Sequence, residues 1–256
     1  MELHYQETGT GAPLIVLHGL FGSLDNWAPV NRQLSRNFRV IAVDLRNHGR
    51  SPHSPEMNFS VMAEDILELM TRLGLEQSHL LGHSMGGKAA MQLALNHPER
   101  VDRLVVADVA PVRYPPSHTH LIRAMMSLNV EALETRSQAE SALESSIPDR
   151  QVRQFLLKSL ARDDSGRFRW RLNLEVLERN YEQLLAAPEG ERPCERPTLF
   201  LRGERSDYIR ESDLQEIRRL FPRSEVTLVR GAGHWVHAEQ PEQVANAARA
   251  FLANNL

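Results

Sequence analysis

The chain carries a single cysteine, Cys194, in 256 residues, so an intrachain disulfide is excluded. Cys194 sits between Pro193 and Glu195 in a polar connector and reads as an incidental thiol, not a nucleophile. Charge of one sign is also lacking. Thirty Lys and Arg face 33 Asp and Glu, for a formal net charge of −3. Nothing in that balance would draw a nucleic acid or an anionic membrane. No uninterrupted apolar run approaches the roughly 18–20 residues of a membrane span. The stretch Met1–Glu7 has no basic region followed by an apolar one, so it does not read as a secretory signal, and the cytoplasm is the expected location. Internal repeats and low-complexity tracts are missing too. What remains is ordinary globular composition, 41% hydrophobic and 25% charged. The length suits one large α/β domain or two modest ones, with a substantial core.

The first third alternates strand and helix signals. Leu3–Thr8 reads as a strand ended by Gly9-Thr10-Gly11, and Pro13–His18 as a buried strand. Leu24–Arg36 has helical spacing in Trp27, Val30 and Leu34. Phe38–Asp44 is another buried strand. Ser60 is expected to cap a helix running to about Arg72, with Val61, Ile66, Leu69 and Leu73 on its apolar face. An apolar run, Ser78–Leu81, a helical stretch, Lys88–Asn96, and a strand, Arg103–Val109, follow. Short continuous apolar strands separated by helices predict a mostly parallel sheet covered on both faces.

That rhythm stops at Pro111, Pro115 and Pro116. From His118 to Ala187 no strand is evident, and Leu121–Leu133, Ser137–Ser146, Asp149–Ala161 and Leu174–Leu185 all look helical. Sheet signals resume at Pro197–Leu201 and Glu225–Val229, before a final amphipathic helix, Pro241–Leu252. The expected organisation is an α/β core, 1–111 and 189–256, interrupted by a helical cap, 112–188. An insertion leaving the sheet there projects over the strands' C-terminal ends, where open α/β sheets bind ligands.

Chemistry concentrates at Gly82-His83-Ser84-Met85-Gly86. A strand leads into it and a helix leaves it, which is the setting of a nucleophile elbow. The turn forces the serine into a strained conformation, and small residues are needed two positions either side. The strain lifts the Ser84 hydroxyl onto a helix N-terminus, where backbone N–H groups can hold a developing negative charge.

Serine needs a base in hydrogen-bond reach, and the base needs a partner to hold its tautomer. Of eleven histidines, His234 stands out. It follows the last predicted strand in Gly231-Ala232-Gly233-His234-Trp235, and the order Ser, acid, His is that of α/β-hydrolases. Two acids fit the middle position. Asp108 ends Leu104-Val105-Val106-Ala107-Asp108, and Asp207 lies in the loop Arg202–Asp207. Chain order cannot separate them; Asp108 is placed first, with Asp207 as its rival. The oxyanion hole needs two backbone donors. Met85, directly after the serine, supplies one. The turn His18-Gly19-Leu20-Phe21-Gly22 supplies the other, assigned to Leu20 with Phe21 as the fallback. Phe21 and Trp235 are expected to line the site.

Four segments carry a wider likeness: His18–Asn26, Asp44-Leu45-Arg46-Asn47-His48-Gly49, Gly82–Lys88 and Gly231–Glu239. Together they resemble the YbfF-type esterases of the α/β-hydrolase superfamily, over nearly the whole chain and least in the cap. The resemblance implies an α/β-hydrolase fold with a helical cap inserted after the sixth strand. It implies esterase activity on short acyl esters, with acyl-CoA thioesters as a further class. It also implies that the acid stands at Asp108, with Ser206 near the histidine; Asp207 departs from that group's pattern.

Other polar residues are expected to be structural. Arg46, Asn47 and His48 read as a loop pinned by its own side chains, His18 as a tie for its turn, and His83 as pointing away from Ser84. Trp235 shields the base. His118-Thr119-His120 is too tightly spaced for a metal, with no carboxylate at ligand spacing. The cap arginines Arg162, Arg167, Arg169 and Arg171 read as a solvated charged face, the rival reading being a cationic rim for a phosphorylated acyl carrier. No cofactor or metal is expected. The function read from the sequence is a serine carboxylic ester hydrolase. The alternatives are C–C or amide hydrolysis, acyl transfer, or a binding protein derived from a hydrolase.

Overall fold

The computed structural model describes residues 1–253. Its strands are β1 (Tyr5–Thr8), β2 (Ala12–Leu17), β3 (Phe38–Val43), β4 (Ser78–His83), β5 (Val101–Ala107), β6 (Leu160–Arg162), β7 (Phe168–Trp170), β8 (Thr198–Gly203) and β9 (Ser224–Val229). Its helices are α1 (Ala28–Leu34), α2 (Phe59–Arg72), α3 (Met85–Asn96), α4 (Thr119–Ser127), α5 (Arg136–Leu143), α6 (Arg150–Leu157), α7 (Leu174–Arg179), α8 (Tyr181–Leu185), α9 (Leu214–Leu220), α10 (Val236–Glu239) and α11 (Pro241–Ala253).

Seven strands form one sheet in the order β1-β3-β2-β4-β5-β8-β9. Only β1 runs antiparallel to its neighbour. Successive side chains of a strand face opposite sides, and both sides here are apolar. Ile15, Leu17, Ile41, Leu104, Val106 and Phe200 join the core under α2, α3 and α9. Leu14, Val16, Val40, Leu81, Val105 and Leu199 join the core under α1 and α11. The near-continuous apolar strands are explained by this double burial.

The segment between β5 and β8 carries α4 to α8. In chain order the strand it leaves is the fifth; four strands precede it. Against the expectation of helix alone, the segment also contains an antiparallel pair, β6 with β7. Each strand has three residues, too few to show a period of two. The turn between them is held by the Asp163 carboxylate, which accepts from the N–H groups of Ser165 and Arg167. Helix α2 is capped by Asn58, whose side chain accepts from the Val61 N–H, and Ser60 lies inside the helix.

Three of the ties that hold this segment onto the core bear on the site. Asn47 accepts from both the backbone and the side chain of Asn173, at the start of α7. Asn180 donates to the Pro55 carbonyl. The third is Lys88, buried on α3, whose ammonium donates to the carbonyls of Val112 (2.8 Å), Leu185 (3.1 Å) and Ala186 (2.5 Å). Those carbonyls belong to the stems by which the chain enters and leaves the segment. An ammonium has three donors and no acceptor, so all three are used. Burial pushes this amine down to about 7, and Arg113 adds to the push; three carbonyl dipoles and the faces of Phe59 and Tyr114 favour the charge. Lys88→Met would strand those carbonyls. A stranded buried group costs about 1–3 kcal/mol, so a loss of roughly 3 kcal/mol is expected. It should appear as a Tm lower by about 5–10 °C in thermal denaturation; an unchanged Tm would refute the tie.

Candidate active site

Five neighbouring strands deliver the polar residues at their C-terminal ends. β2 leads into the turn His18–Gly22, β4 into Ser84, β5 into Asp108, and β8 into Ser206; His234 follows β9. Ser84 and His234, 150 positions apart in sequence, therefore meet at one rim.

Ser84 has φ +50° and ψ −116°, a conformation that costs a non-glycine residue about 1–3 kcal/mol. The surroundings enforce it. A Cβ on Gly82 would lie 2.3 Å from the Gly86 carbonyl oxygen, and one on Gly86 would lie 2.5 Å from that of His18. Strand, elbow and oxyanion turn are thus pressed together at a distance only glycine allows.

The Ser84 hydroxyl lies 3.1 Å from His234 Nε2, and His234 Nδ1 lies 2.8 Å from Asp108 Oδ2. Asp108 is fully buried. Its Oδ1 accepts from the Gly203 N–H at 2.8 Å, and its Oδ2 accepts from the Ser206 hydroxyl. Nδ1–H of His234 therefore donates to the carboxylate, and Nε2 presents its lone pair to Ser84. Asp207 is exposed and does not contact the imidazole; its carbonyl accepts from Arg210. What separates the two acids is the backbone of Asp108, at φ +52°, a left-handed turn directly at the strand end.

The turn after β2 is shaped by two imidazoles. Leu45 N–H donates to His18 Nε2, and His18 Nδ1–H donates to the Gly19 carbonyl. Phe21 N–H donates to His48 Nε2, and His48 Nδ1–H donates to the Arg46 carbonyl. Phe21 has thereby spent its N–H. The N–H groups of Leu20 and Met85 have no acceptor among the described residues, and both residues line a cavity with Ser84. Arg46 makes a buried bidentate pair with Asp65, at 2.6 and 2.9 Å. Arg46, Asn47 and His48 all serve the loop and its neighbours. His83 holds the His234 carbonyl through Nε2.

Sequence reasoning missed Tyr208. Its ring stacks on the His234 imidazole, with centroids 3.7 Å apart and planes at 15°. The signal was an aromatic two residues past Ser206, but nothing local says that it folds back. His118, which the sequence offers only within a pair too close for a metal, lines the site, bonded to the Tyr181 hydroxyl. Phe21 and Trp235 line the site as well. The four cap arginines do not. Arg162 and Arg167 bond within and beside the β6–β7 turn, and no member of the group lines the cavity at Ser84.

That geometry can be set beside known proteins. The description of the alpha/beta hydrolase fold family matches residues 12–241. The chain belongs to the α/β-hydrolase family. It is 42% identical to the mouse protein named sn-1-specific diacylglycerol lipase ABHD11, over 94% of this chain and 80% of that one. It is 36% identical to esterase YbfF of Escherichia coli, over 96% and 95%. Its structure superposes on a marine microorganism esterase with a TM-score of 0.95 at 40% identity, covering 98% and 99%. This α/β hydrolase is an enzyme, and the YbfF-type likeness of its four motifs holds across the chain.

In this hydrolase, burial pushes His18 down to about 4, and His48 and His237 down to about 3. Each is neutral in the fold and protonates freely once unfolded. Below about pH 6.5 the unfolded chain binds more protons than the folded one. Stability is therefore complete above that pH and is lost as pH falls toward 4, by up to about 1.4 kcal/mol per pH unit for each group. Thermal denaturation should give a Tm several degrees lower at pH 5 than at pH 7; a flat profile over that window would contradict the burial of these rings.

Proposed function

We propose that this hydrolase cleaves carboxylic esters through an acyl-enzyme on Ser84. The observation that carries the reading is the chain of contacts Ser84–His234–Asp108, with a buried, fully hydrogen-bonded carboxylate at its end. Ser84 attacks the ester carbonyl as His234 Nε2 takes its proton. Asp108 keeps the imidazole in the tautomer that can accept it, and then balances the imidazolium. The oxyanion points to the N–H groups of Leu20 and Met85, where one donor is worth about 10²–10³ in turnover. His234 returns its proton to the departing alcohol oxygen. Water enters, His234 takes a proton from it, and the acid leaves. Ser206 and Tyr208 position the acid and the base.

A thioester would follow the same steps. Coenzyme A, however, brings phosphates, and Arg205, the one Lys or Arg among the described residues that lines the larger cavity at Ser84, is paired with Glu239 at 2.9 Å. That pairing favours neutral oxygen esters over acyl-CoA. The cytoplasm is part of the same reading; a single, buried thiol suits it, and no helix among the described residues is long and apolar enough to cross a membrane.

A fluorophosphonate probe should label the protein at Ser84, and Ser84→Ala should abolish labelling and lower ester turnover by at least about 10³-fold. Labelling that survives in Ser84→Ala would refute the nucleophile. Asp108→Asn should cost orders of magnitude in kcat while Asp207→Asn costs little; the reverse would move the acid to the exposed loop.

A further inference from the structure

Two cavities of very different size meet at Ser84. One is about 540 Å³ and opens outward between the sheet rim and α4 and α6. The other is about 50 Å³ and lies beneath α8. Leu20, Ser84, His118 and Tyr208 line both. His234 lines only the large one, and Met85 only the small one.

This division decides which half of an ester goes where. The tetrahedral carbon carries four groups: the serine oxygen, the oxyanion, the leaving oxygen and the acyl chain. The leaving oxygen must reach His234 Nε2 to be protonated. The large cavity holds that nitrogen, so the alcohol extends into it. The acyl chain is left with the small one. Resting on the serine ester-hydrolase reading above, we propose that the site is asymmetric: it takes acetyl and propionyl esters of bulky apolar alcohols.

Volume sets the acyl limit. A cavity of about 150 Å³ accepts benzene, or about 25 Å³ per carbon. On that scale the small cavity holds about two carbons beyond the carbonyl. Its walls include Tyr181, Leu184 and Leu185 from α8, together with Val109, Tyr114 and the Lys88 side chain, whose amine is already turned to the stem carbonyls. Leu185 is also one of the stem residues held by Lys88, so the wall is not free to retreat. The large cavity is walled by Phe21, Leu121, Val152, Phe155, Leu156 and Trp235. Phe155 and Trp235 pack together with centroids 5.3 Å apart. Paired Arg205 and Glu239 leave its rim without net charge. The alcohol it fits is large, apolar and uncharged.

Two substrate series test this on the intact protein. In the first, the leaving group is p-nitrophenol and the acyl chain grows from acetyl to hexanoyl. kcat/KM should fall about 10-fold or more per carbon beyond the third. In the second, the acyl group is acetyl and the alcohol grows from ethanol to hexanol. These alcohols have nearly equal pKa, so the series reports the cavity and not leaving-group chemistry. kcat/KM should rise at least about 10-fold. Leu184→Ala should raise the hexanoyl-to-acetyl ratio about 10-fold, and Phe155→Ala should lower the hexyl-to-ethyl ratio while sparing the acyl ratio. Turnover that depends on Ser84 but favours hexanoyl over acetyl, or is indifferent to the alcohol, overturns the asymmetry alone. Absence of Ser84-dependent turnover across both series overturns the ester reading itself.

Discussion

The buried carboxylate of Asp108 is the interaction on which the rest of the site depends. Burying an unpaired carboxylate is prohibitively costly, so its oxygens must find donors. The donors come from Gly203 at the end of β8, Ser206 in the next loop and His234 after β9. They come from two stretches of chain, the end of β8 with its following loop and the turn after β9, and both are drawn to the same two oxygens. The charge therefore holds two loops in register with β5. Removing it would take away a proton acceptor and, with it, the reason those loops stand where they do.

Much of this was legible in the sequence, because it is local. The apolar strands, the elbow glycines and the histidine after the last strand each announce themselves within a few residues. The choice between Asp108 and Asp207 was not local. Both follow strands, and only the positive φ at Asp108 turns its side chain toward the rim. The contacts of Asn47 with Asn173 span 126 positions, and those of Lys88 with the far stem span 97 and 98. No periodicity carries such pairings. The β6–β7 pair escaped for the opposite reason, since its strands are too short to have a pattern.

The same elements that hold the segment 112–188 also bound the space at Ser84. Lys88 sits one turn along the helix that begins after the nucleophile, and its three donors reach the stems of that segment. Helix α8 ends at those stems, and its leucines face the small cavity. A rigid floor and an open outer chamber then follow from one buried ammonium. The tie is electrostatic and directional, so it sets position more sharply than apolar packing does.

Neutral imidazoles complete the arrangement. His18 and His48 each accept an N–H through Nε2. A protonated ring is a donor at both nitrogens and would face those N–H groups with another. Burial keeps the two rings uncharged, and so keeps them acceptors. Because His48 takes the Phe21 N–H, that group is turned away from the nucleophile. The adjacent Leu20 N–H is the one left to face an oxyanion. Desolvation of two histidines that never touch substrate thus determines which backbone donor the reaction can use.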